Sequence, residues 1–527
     1  MTFAGRDDTM TPSAYKGEDD KMKKSVLEYL RRSARRSPDK TAVIDESTSM
    51  TYAALEQASR RVGTAVARRS PRRCPVPVLM EKSAKTLAAF LGIAAADCFY
   101  VLMSPELPEN RLSQVQSVLE ARWVITDREH LELAGRLFAP EQVLLIDELL
   151  EGEADEALLA RREAEQCDLD PLYANFTSGS TGVPKGVVVG HRSVLDFIDV
   201  FTRTFGFDES DVFANQAPFD FDVSVKDIYS ALAVGGTLVI VPRRLFSLPV
   251  ELLDYLCDHQ VTVMVWAVSA LCLITTFHAL DYKTPDTVRQ VLFSGEVMPM
   301  KHLRDWMAHL PATRFVNLYG PTEITCNCTY HIIDRDRDYG DVIPMGAAFD
   351  NEEVLLLDDA NALVTEPEVN GEVCVRGSAL ALGYYNAWPQ TNEHFVQNPL
   401  NTHFIEYLYR TGDLAHYNEL GELVFAGRKD FQIKHMGHRI ELEEIERAIA
   451  AVPGIERACC IFDERRSKLK GFYVGGVDKK ELHHILSEQL PFFMVPGVLT
   501  PLEAMPLTKN GKIDRKALAA MKRGGRT

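Results

Sequence analysis

A short run of glycines, hydroxyl side chains and one lysine is the first stretch of this sequence that could do chemistry. Residues 177–186 read TSGSTGVPKG, and an apolar run follows at residues 187–189. Glycines let the backbone close around an anion, hydroxyls add hydrogen-bond donors, and Lys185 adds a point charge. Pro184 stands where a Walker A loop has glycine, so the stretch is not of that type. The pattern predicts a polyphosphate-binding loop that leads into a strand.

Four further stretches each place a side chain suited to a nucleotide beside a turn. They are residues 317–323 with Tyr319 and Glu323, residues 409–413 with Asp413, residues 427–430 with Arg428, and residues 506–512 with Lys512. An aromatic ring can stack on a base, a carboxylate can hold a hard cation or accept from ribose hydroxyls, and a cation can screen phosphate. Each stretch alone is typical of an ordinary turn. Only their combination indicates a site.

Composition and charge exclude several function classes. The net charge of −17 over 527 residues disfavours a general nucleic-acid binder. The ten cysteines include no Cys-x-x-Cys pair, which indicates a reducing compartment with neither a zinc site nor a disulfide framework. No apolar run reaches the roughly 18 residues that span a bilayer, and the N-terminus lacks a signal peptide. We expect a cytoplasmic protein with no membrane or nucleic-acid partner.

Two series of alternating strands and helices must position these residues. Apolar runs that predict strands lie at residues 77–80, 100–103, 123–125 and 143–146, and again at residues 237–241, 261–265 and 291–293, with a helix predicted over residues 250–256. Such alternation predicts a mostly parallel, doubly wound sheet in each series. The two α/β units are expected to face each other across a ligand crevice.

The pattern changes near the C-terminus. Strands predicted at residues 353–357 and 371–375 lack long helices between them, which indicates a smaller β-rich subdomain. A strand at residues 431–434 and a helix from residue 441 predict a small α+β domain. The predicted division is a disordered extension over residues 1–22, a large α/β core over residues 23–429 and a small mobile domain over residues 430–527.

Taken in this order, the motifs resemble those of nonribosomal peptide synthetase adenylation domains, within the acyl/aryl-CoA ligase and luciferase superfamily of adenylate-forming enzymes. The resemblance runs from Thr51 to Leu518. Residues 221–229 (FDVSVKDIY) and 430–446 (DFQIKHMGHRIELEEIE) are closest to D-alanine–carrier-protein ligases and related free-standing enzymes. The resemblance implies activation of a carboxylic acid by ATP and Mg²⁺, followed by transfer of the acyl group to a thiol.

The resemblance also implies residue roles. Lys512 and Lys185 would be catalytic, Lys512 by bridging the carboxylate and the α-phosphate. Glu323 would bind Mg²⁺, and Asp430 would be the hinge about which the small domain swings between the two steps. The implied ATP-binding residues are Thr177, Ser178, Gly179, Ser180, Thr181, Gly182, Gly295, Glu296, Asn317, Leu318, Tyr319, Gly320, Pro321, Thr322, Asp413 and Arg428.

Asp222 indicates the substrate class. In amino-acid-activating relatives the matching aspartate pairs with the substrate ammonium, so the resemblance implies an amino acid with an α- or β-amino group. The other implied pocket residues are Val223, Lys226, Val265, Leu292, Ser294, Leu318, Cys326 and Asn327. Lys226 leaves two alternatives open. An inward side chain would favour a second carboxylate or another acceptor, and an outward one would favour a small apolar amino acid.

The acyl acceptor is predicted to be the phosphopantetheine of a separate carrier protein. No carrier-domain motif follows Lys512, and no condensation motif of paired histidines precedes the core, so we expect a free-standing enzyme. Two alternatives remain: an acyl-CoA synthetase, and a non-catalytic binding module of the same fold. His191, near the phosphate loop, is interpreted as a helix-start residue. Asp97 departs from the family pattern, which has glycine in this motif.

Overall fold

Two mixed sheets, flanked by helices, make up most of the chain. The computed structural model describes residues 23–179, 183–340, 342–463, 466–508 and 513–521. The predicted extension at residues 1–22 lies outside the described residues, as do Ser180, Thr181, Gly182 and Lys512. No helix within the described ranges is long and apolar enough to cross a membrane.

The first two thirds of the chain contain both series of alternating strands and helices. Before the phosphate loop the strands are β1 Thr41–Ile44, β2 Ser49–Thr51, β3 Pro75–Leu79, β4 Phe99–Leu102, β5 Val124–Thr126, β6 Val143–Leu145 and β7 Pro171–Thr177. The helices there are α1 Leu27–Arg36, α2 Tyr52–Arg69, α3 Ala84–Ala95, α4 Glu109–Leu119, α5 Leu131–Leu137, α6 Ile146–Glu151 and α7 Glu156–Glu165.

After the phosphate loop, strands and helices alternate in the same way. The strands are β8 Lys185–Gly190, β9 Val212–Asn215, β10 Thr237–Ile240, β11 Val263–Ala267, β12 Gln290–Ser294, β13 Arg314–Tyr319 and β14 Thr329–Ile332. The helices are α8 His191–Phe205, α9 Val223–Val234, α10 Pro249–Asp258, α11 Val268–Thr276 and α12 Met300–His309.

In the described part of the C-terminal third, few helices separate the strands. They are β15 Ala347–Ala348, β16 Glu352–Leu357, β17 Gly371–Gly377, β18 Gly383–Tyr384, β19 Phe395–Gln397, β20 Tyr407–Tyr417, β21 Leu423–Arg428, β22 Gln432–His435, β23 His438–Glu441, β24 Ile455–Asp463, β25 Lys468–Gly475 and β26 Val498–Leu502. The helices are α13 Trp388–His394, α14 Leu442–Ala450, α15 Lys479–Gln489 and α16 Arg515–Ala520.

The sheets confirm the predicted α/β class. The first sheet has the order β18-β8-β7-β4-β3-β5-β6, and the second has the order β15-β14-β13-β12-β11-β9-β10-β1-β2. Their central strands are parallel and buried, as continuous apolar runs require. One arrangement does not follow chain order: β1 pairs with β10 and so belongs to the second sheet, although it precedes the first series.

Several helices begin at the polar residues that favour such positions. Thr51, Ser83, Asp155, Asp478 and Asp514 each accept a backbone N–H of the first turn, at the starts of α2, α3, α7, α15 and α16. These side chains satisfy donors that a helix leaves free at its N-terminus.

The neighbouring parallel strands β9, β11, β12 and β13 bring their carboxyl ends to one edge of the second sheet. These strands end at Asn215, Ala267, Ser294 and Tyr319, and predicted site residues lie at or just after two of those positions, Ser294 and Tyr319. Ligand crevices in α/β sheets form at such edges. Residues 430–521, called the C-terminal unit below, have their own apolar core that includes Ile445 and Leu486.

Candidate active site

The predicted phosphate loop joins two antiparallel strands of the first sheet. Thr177, at the end of β7, pairs with Lys185, at the start of β8. Gly179 is required here, because a Cβ at this position would lie 2.1 Å from the backbone oxygen of Val183. The strand pairing therefore holds the two described ends of the loop together.

The C-terminal unit contacts this loop directly. The Ser178 hydroxyl donates to the carbonyl of Arg439 at 2.8 Å and accepts from the backbone N–H of Glu441 at 3.2 Å. Arg447 donates to the carbonyl of Gly179 at 3.3 Å. Two residues that the sequence assigns to ATP thus bind protein groups in this arrangement.

Lys185 lies at the start of β8, at the other described end of the phosphate loop, and faces the cleft. Its ammonium lies 5.2 Å from the centroid of the Tyr384 ring, a cation–π distance. Burial lowers the pKa of Lys185, the nearby Arg439 lowers it further, and the Glu323 carboxylate opposes both effects. The lysine therefore shares its surroundings with the predicted metal ligand.

Three of the predicted ribose and adenine residues, Tyr319, Asp413 and Arg428, are joined by hydrogen bonds. The Tyr319 hydroxyl donates to Asp413 Oδ2 at 2.5 Å, and Arg428 donates to Asp413 Oδ1. Asn317 donates its amide to the carbonyl of Pro344 at 2.9 Å. Asp413 is 3% exposed, so its carboxylate is held in place by two donors rather than by water. A ribose bound here would share the Asp413 carboxylate with these groups.

The turn after β12 connects the nucleotide side to the C-terminal unit. Gly295 has φ +98°, a conformation that favours glycine. The next residue, Glu296, accepts the backbone N–H of Gly437 at 3.0 Å. Glu296 was predicted to lie at the ATP site, and it contacts the connection between β22 and β23.

The turn after β13 carries the remaining nucleotide-site residues. Gly320 and Pro321 follow the buried Leu318–Tyr319 end of the strand and lead into a short 3-10 turn that begins at Thr322. Burial raises the pKa of Asp222, and hydrogen bonding with Thr322 opposes that rise. This turn therefore links the nucleotide side to the acyl pocket.

Lys226 points into the protein, which excludes the outward alternative. It is 1% exposed, and its ammonium donates to Asn327 Oδ1 at 2.7 Å and to Ser294 Oγ at 3.3 Å. Asp222 lies one turn earlier, at the start of α9. Burial raises the pKa of Asp222 and lowers that of Lys226, and the charge of each group opposes the effect of burial on the other. A carboxyl group and an ammonium group therefore influence each other's ionisation at the start of α9.

Apolar side chains surround these charges. The remaining predicted pocket residues are all buried: Val223, Val265, Leu292, Leu318 and Cys326. The Cys326 thiol donates to the carbonyl of Asp222 at 3.1 Å. Thr325 and Cys326 have φ of +53° and +79°, which is unfavourable for side-chain-bearing residues and persists where the surroundings impose it.

The Glu323 carboxylate binds Arg439, a residue that the sequence analysis did not single out. Arg439 Nη1 donates to Glu323 Oε1 at 2.9 Å and to Oε2 at 2.7 Å, and the Tyr384 hydroxyl donates to Oε1 at 2.7 Å. Burial raises the pKa of Glu323, but the Arg439 charge and hydrogen bonds from Tyr384 and Tyr409 lower it to about 2. The carboxylate is ionised and neutralised by a guanidinium.

In this arrangement Glu323 does not fit a metal ion. Both of its oxygens bind Arg439, and across the residues that the structure describes no group of three or more His, Cys, Asp or Glu side chains could hold a metal. The magnesium role of Glu323 therefore stays a prediction.

The hairpin of β22 and β23 reaches into the cleft. The His438 ring stacks on Phe493 with centroids 3.6 Å apart, and lies 5.0 Å from the ring of Phe221, next to Asp222 in sequence. The Lys434 ammonium lies 5.8 Å from the centroid of the Tyr319 ring. The hairpin thus contacts both the acyl pocket and the nucleotide side.

The predicted hinge residue, Asp430, lies between β21 and this hairpin. It accepts from Arg428 Nε at 2.7 Å and from Nη2 at 2.8 Å, and from the backbone N–H of Gln432 at 3.1 Å. Asp430 therefore joins the ribose-side arginine to the start of the C-terminal unit. Its role as a pivot stays a prediction.

Three cations near the site were given no role by the sequence analysis. Arg439 and Lys434 lie within the quoted stretch of residues 430–446, so their position was visible but their contacts were not. Lys82 follows buried strand β3 and donates to the carbonyls of Asn215 at 3.2 Å and Gln216 at 2.9 Å. Burial lowers the pKa of Lys82 to about 7. These hydrogen bonds join Lys82 to the end of β9. The chain continues from there to Asp222.

Two cavities lie outside this site. One of about 420 Å³ is lined by Tyr339, His416 and Phe425, and one of about 230 Å³ lies between α1, α2 and α7. Neither is lined by Asp222 or Lys226.

Comparison with known proteins identifies related sequences over most of the chain. Residues 30–385 match the family model described as AMP-binding enzyme, and residues 444–512 match the AMP-binding enzyme C-terminal domain. Bacitracin synthase 1 of Bacillus licheniformis is 31% identical over 504 residues, which cover 94% of this chain and 9% of that protein. The chain therefore spans a small part of the length of this curated relative.

Solved structures share the fold. A nonribosomal peptide synthetase protein containing adenylation and PCP domains superposes with a TM-score of 0.79 at 25% identity, over 94% of this chain and 84% of that chain. An o-succinylbenzoate CoA synthetase from Bacillus subtilis superposes with a TM-score of 0.80 at 20% identity, over 94% of this chain and 98% of that chain. The second likeness concerns the fold alone.

Proposed function

Because the chain belongs to the AMP-binding enzyme family, an adenylate-forming family, we propose that it activates an acidic amino acid with ATP and loads it onto a carrier protein. In the first step the substrate carboxylate attacks the α-phosphorus of ATP, and pyrophosphate leaves. In the second step a phosphopantetheine thiol attacks the acyl carbon, a thioester forms, and AMP leaves.

One observation carries the choice of substrate: the Lys226 ammonium is buried in the pocket beside Asn327 and Ser294. A buried charge is costly unless it is paired and hydrogen-bonded. The two neutral acceptors account for two of the three N–H donors of a lysine. A substrate carboxylate would supply a further acceptor and the opposite charge.

Asp222 supports the assignment of an amino acid. Its carboxylate lies one helical turn before Lys226, so the pocket offers one anionic and one cationic group. An amino acid with a carboxylate side chain is complementary to both, because its ammonium suits the aspartate and its side chain suits the lysine. The α-carboxylate is then left to react.

The nucleotide side supports ATP as the second substrate. Asp413, held by Tyr319 and Arg428, presents a carboxylate suited to ribose hydroxyls. Lys185 lies over the Tyr384 ring and at one described end of the phosphate loop, where its charge is suited to phosphate. Lys512 lies outside the described residues, and its catalytic role rests on the family resemblance.

A pyrophosphate-exchange panel tests the substrate class. Aspartate, glutamate, asparagine, glutamine, alanine and valine would each be supplied with ATP and labelled pyrophosphate. We expect strong exchange only with aspartate or glutamate. Equal exchange with glutamine and glutamate would indicate a neutral acceptor, and strong exchange only with alanine or valine would contradict the proposal.

A second experiment identifies which thiol accepts the acyl group. The enzyme would be incubated with ATP, the preferred amino acid, and either CoA or a panel of holo carrier proteins. We expect a thioester on a carrier protein and none on CoA. Thioester formation on CoA alone would instead favour an acyl-CoA synthetase.

A further inference from the structure

We propose that Tyr173 is a specificity-determining residue of the acyl pocket, whose hydroxyl donates a hydrogen bond to the side-chain carboxylate of the bound amino acid. Tyr173 lies on β7, the strand that leads into the phosphate loop, and the sequence analysis gave it no role. This inference rests on the proposed function. It adds a donor from the first sheet to a pocket whose predicted residues all follow the phosphate loop in sequence.

The Tyr173 hydroxyl is a buried polar group without a partner. The residue is 0% exposed, and its hydroxyl makes no hydrogen bond to any residue that the structure describes. Burying a hydroxyl without a hydrogen bond is costly, and buried polar groups in native proteins are almost always paired. A ligand that accepts from this hydroxyl would account for its position.

Neighbouring rings place Tyr173 against the helix that carries the acyl pocket. Tyr173 lies opposite Tyr100 in the parallel pairing of β7 with β4, and the two ring centroids are 5.7 Å apart. The Tyr100 hydroxyl lies 2.9 Å from that of Tyr229, on α9. Asp222, Lys226 and Tyr229 are spaced i, i+4 and i+7, so they share one face of α9. That face is therefore directed toward β4 and β7.

Cys326 provides a second link between Tyr173 and the pocket. Its thiol donates to the carbonyl of Asp222 at 3.1 Å. Burial raises the pKa of the Tyr173 hydroxyl, and the nearby Cys326 and Asp222 raise it further. The hydroxyl therefore stays protonated and remains a hydrogen-bond donor within electrostatic reach of two predicted pocket residues.

Two donors near this face of α9 lack an acceptor among the described residues. They are the Tyr173 hydroxyl and the third N–H of the Lys226 ammonium, which donates its other two to Asn327 and Ser294. A carboxylate has two accepting oxygens, so one group can satisfy both donors, and it also carries the charge opposite to that of Lys226. A side-chain amide offers one oxygen and two further donors. The pair of donors therefore favours an acidic side chain over a neutral one.

The substrate ammonium is the alternative partner for this hydroxyl, because a phenol oxygen can also accept. Asp222 already offers a carboxylate to that ammonium, whereas Lys226 alone faces the side-chain carboxylate in the proposed function. The second oxygen of the carboxylate is the group that still needs a donor. We therefore assign Tyr173 to the carboxylate, and the binding experiment below separates the two partners.

The test compares pyrophosphate exchange in full-length wild type and Tyr173→Phe, a variant that keeps the ring and removes the hydroxyl. We expect kcat/KM for the acidic amino acid to fall by about ten- to a hundredfold, the usual effect of losing a hydrogen bond to a charged group. Exchange with alanine should change little. Equal losses with both amino acids, or no loss with either, would overturn the proposal.

Thermal unfolding without substrate separates this role from a structural one. Because the hydroxyl has no partner among the described residues, its removal should not lower the Tm. A lower Tm for Tyr173→Phe would show that the hydroxyl has a partner within the folded protein. That result would also overturn the proposal.

Tyr100→Phe is the matched control. It removes a hydroxyl from the adjacent ring and breaks the hydrogen bond to Tyr229, but it leaves the Tyr173 hydroxyl in place. We expect this variant to lose stability and to keep the wild-type preference for the acidic amino acid. If it lost that preference as fully as Tyr173→Phe, loosening of the aromatic group would be sufficient, and the assignment to Tyr173 would be wrong.

A binding measurement requires no turnover. Calorimetry would compare sulfamoyl analogues of the adenylate that carry either the acidic side chain or the side chain of alanine. Tyr173→Phe should bind the acidic analogue about ten- to a hundredfold more weakly and the alanyl analogue equally well. An acidic analogue without the amino group should be weakened to the same extent. Weakening confined to analogues with an ammonium would instead assign the hydroxyl to that ammonium and contradict the proposal.

Failure of the proposed function is distinguishable from failure of this inference. If wild type does not prefer an acidic amino acid, the proposed function fails before any variant is made. If wild type has that preference and Tyr173→Phe keeps it, the proposed function stands and only the assignment of Tyr173 is overturned.

Discussion

The Lys226 ammonium lies 2.7 Å from the side-chain oxygen of Asn327, inside the large α/β part of the chain. The lysine comes from the first turns of α9, and the asparagine follows the turn after β13. The positive φ of Cys326, just before Asn327, helps direct this turn toward the helix. The contact aims a buried cation into the same pocket as Asp222.

Replacing Lys226 should change substrate choice. In Lys226→Met the pocket loses its cation, so a substrate carboxylate would be buried without a partner. We expect kcat/KM for the acidic amino acid to fall by about a hundredfold or more, with a relative gain for apolar amino acids. Pyrophosphate exchange measures both.

The control is Lys85→Met, on α3, where the lysine is partly exposed and pairs with Asp147. It should keep the wild-type preference. A Lys226→Met enzyme that still prefers the acidic substrate would contradict the pocket assignment.

Asp222 should favour substrates that carry an ammonium group over substrates that lack one. With Asp222→Asn the charge pairing is lost, so we expect exchange with the amino acid to fall by about a hundredfold. The corresponding dicarboxylic acid without an amino group should be affected much less. Equal losses for the two acids would indicate a structural role for Asp222 instead.

Asp413 should govern the affinity for ATP rather than for the amino acid. In Asp413→Asn the ionised acceptor for the ribose hydroxyls is lost, and we expect KM for ATP to rise by about tenfold or more. KM for the amino acid should change little. Asp359→Asn is a surface control, since Asp359 pairs with Lys429 outside the site.

Lys512, which lies outside the described residues, should act in the first step only. Removing a cation that stabilises the transition state costs about 10²–10³ in rate, so Lys512→Ala should slow aminoacyl-AMP formation by that factor. Transfer from supplied aminoacyl-AMP to the thiol should persist. Lys516→Ala, at an exposed position of α16, is the matched control, and equal loss in both variants would contradict this role.

His191 should make stability depend on pH. It is fully buried at the start of α8, and its Nδ1 accepts the backbone N–H of Val26, which requires an unprotonated nitrogen. Burial lowers the pKa of His191 to about 4, against opposing effects of Asp170 and Asp168. The unfolded chain takes up this proton near pH 6.5, so stability should fall as pH drops from about 6.5 to about 4.

The full effect of that shift is about 3 kcal/mol. Urea unfolding of wild type and His191→Gln at pH 7 and pH 5 measures it, and the variant should lose less stability than wild type between the two pH values. The same loss in both proteins would exclude His191 as the cause. This position also confirms the interpretation of His191 as a helix-start residue.

Local patterns were sufficient to predict much of this architecture. Apolar runs and helical spacing predicted strands such as β4 and β12 to within a residue or two, because side-chain periodicity is set by the backbone itself. The order of the glycine-rich loop and the later motifs indicated the family. Asp97 shows where such a pattern is incomplete: it has φ +57° where the family motif has glycine, and Arg72 pairs with its carboxylate.

The sequence by itself determined the fold class and the family, and it predicted a set of residues that would face one cleft. Only the tertiary structure decided where Lys226 points and which group binds the Glu323 carboxylate. A lysine on a helix has the same local pattern whether it faces solvent or the interior, and the neighbours that decide, Ser294 and Asn327, are distant in sequence. Likewise, Arg439 reaches Glu323 only because a separately folded unit packs against the large core, a relation between distant segments that no local pattern encodes.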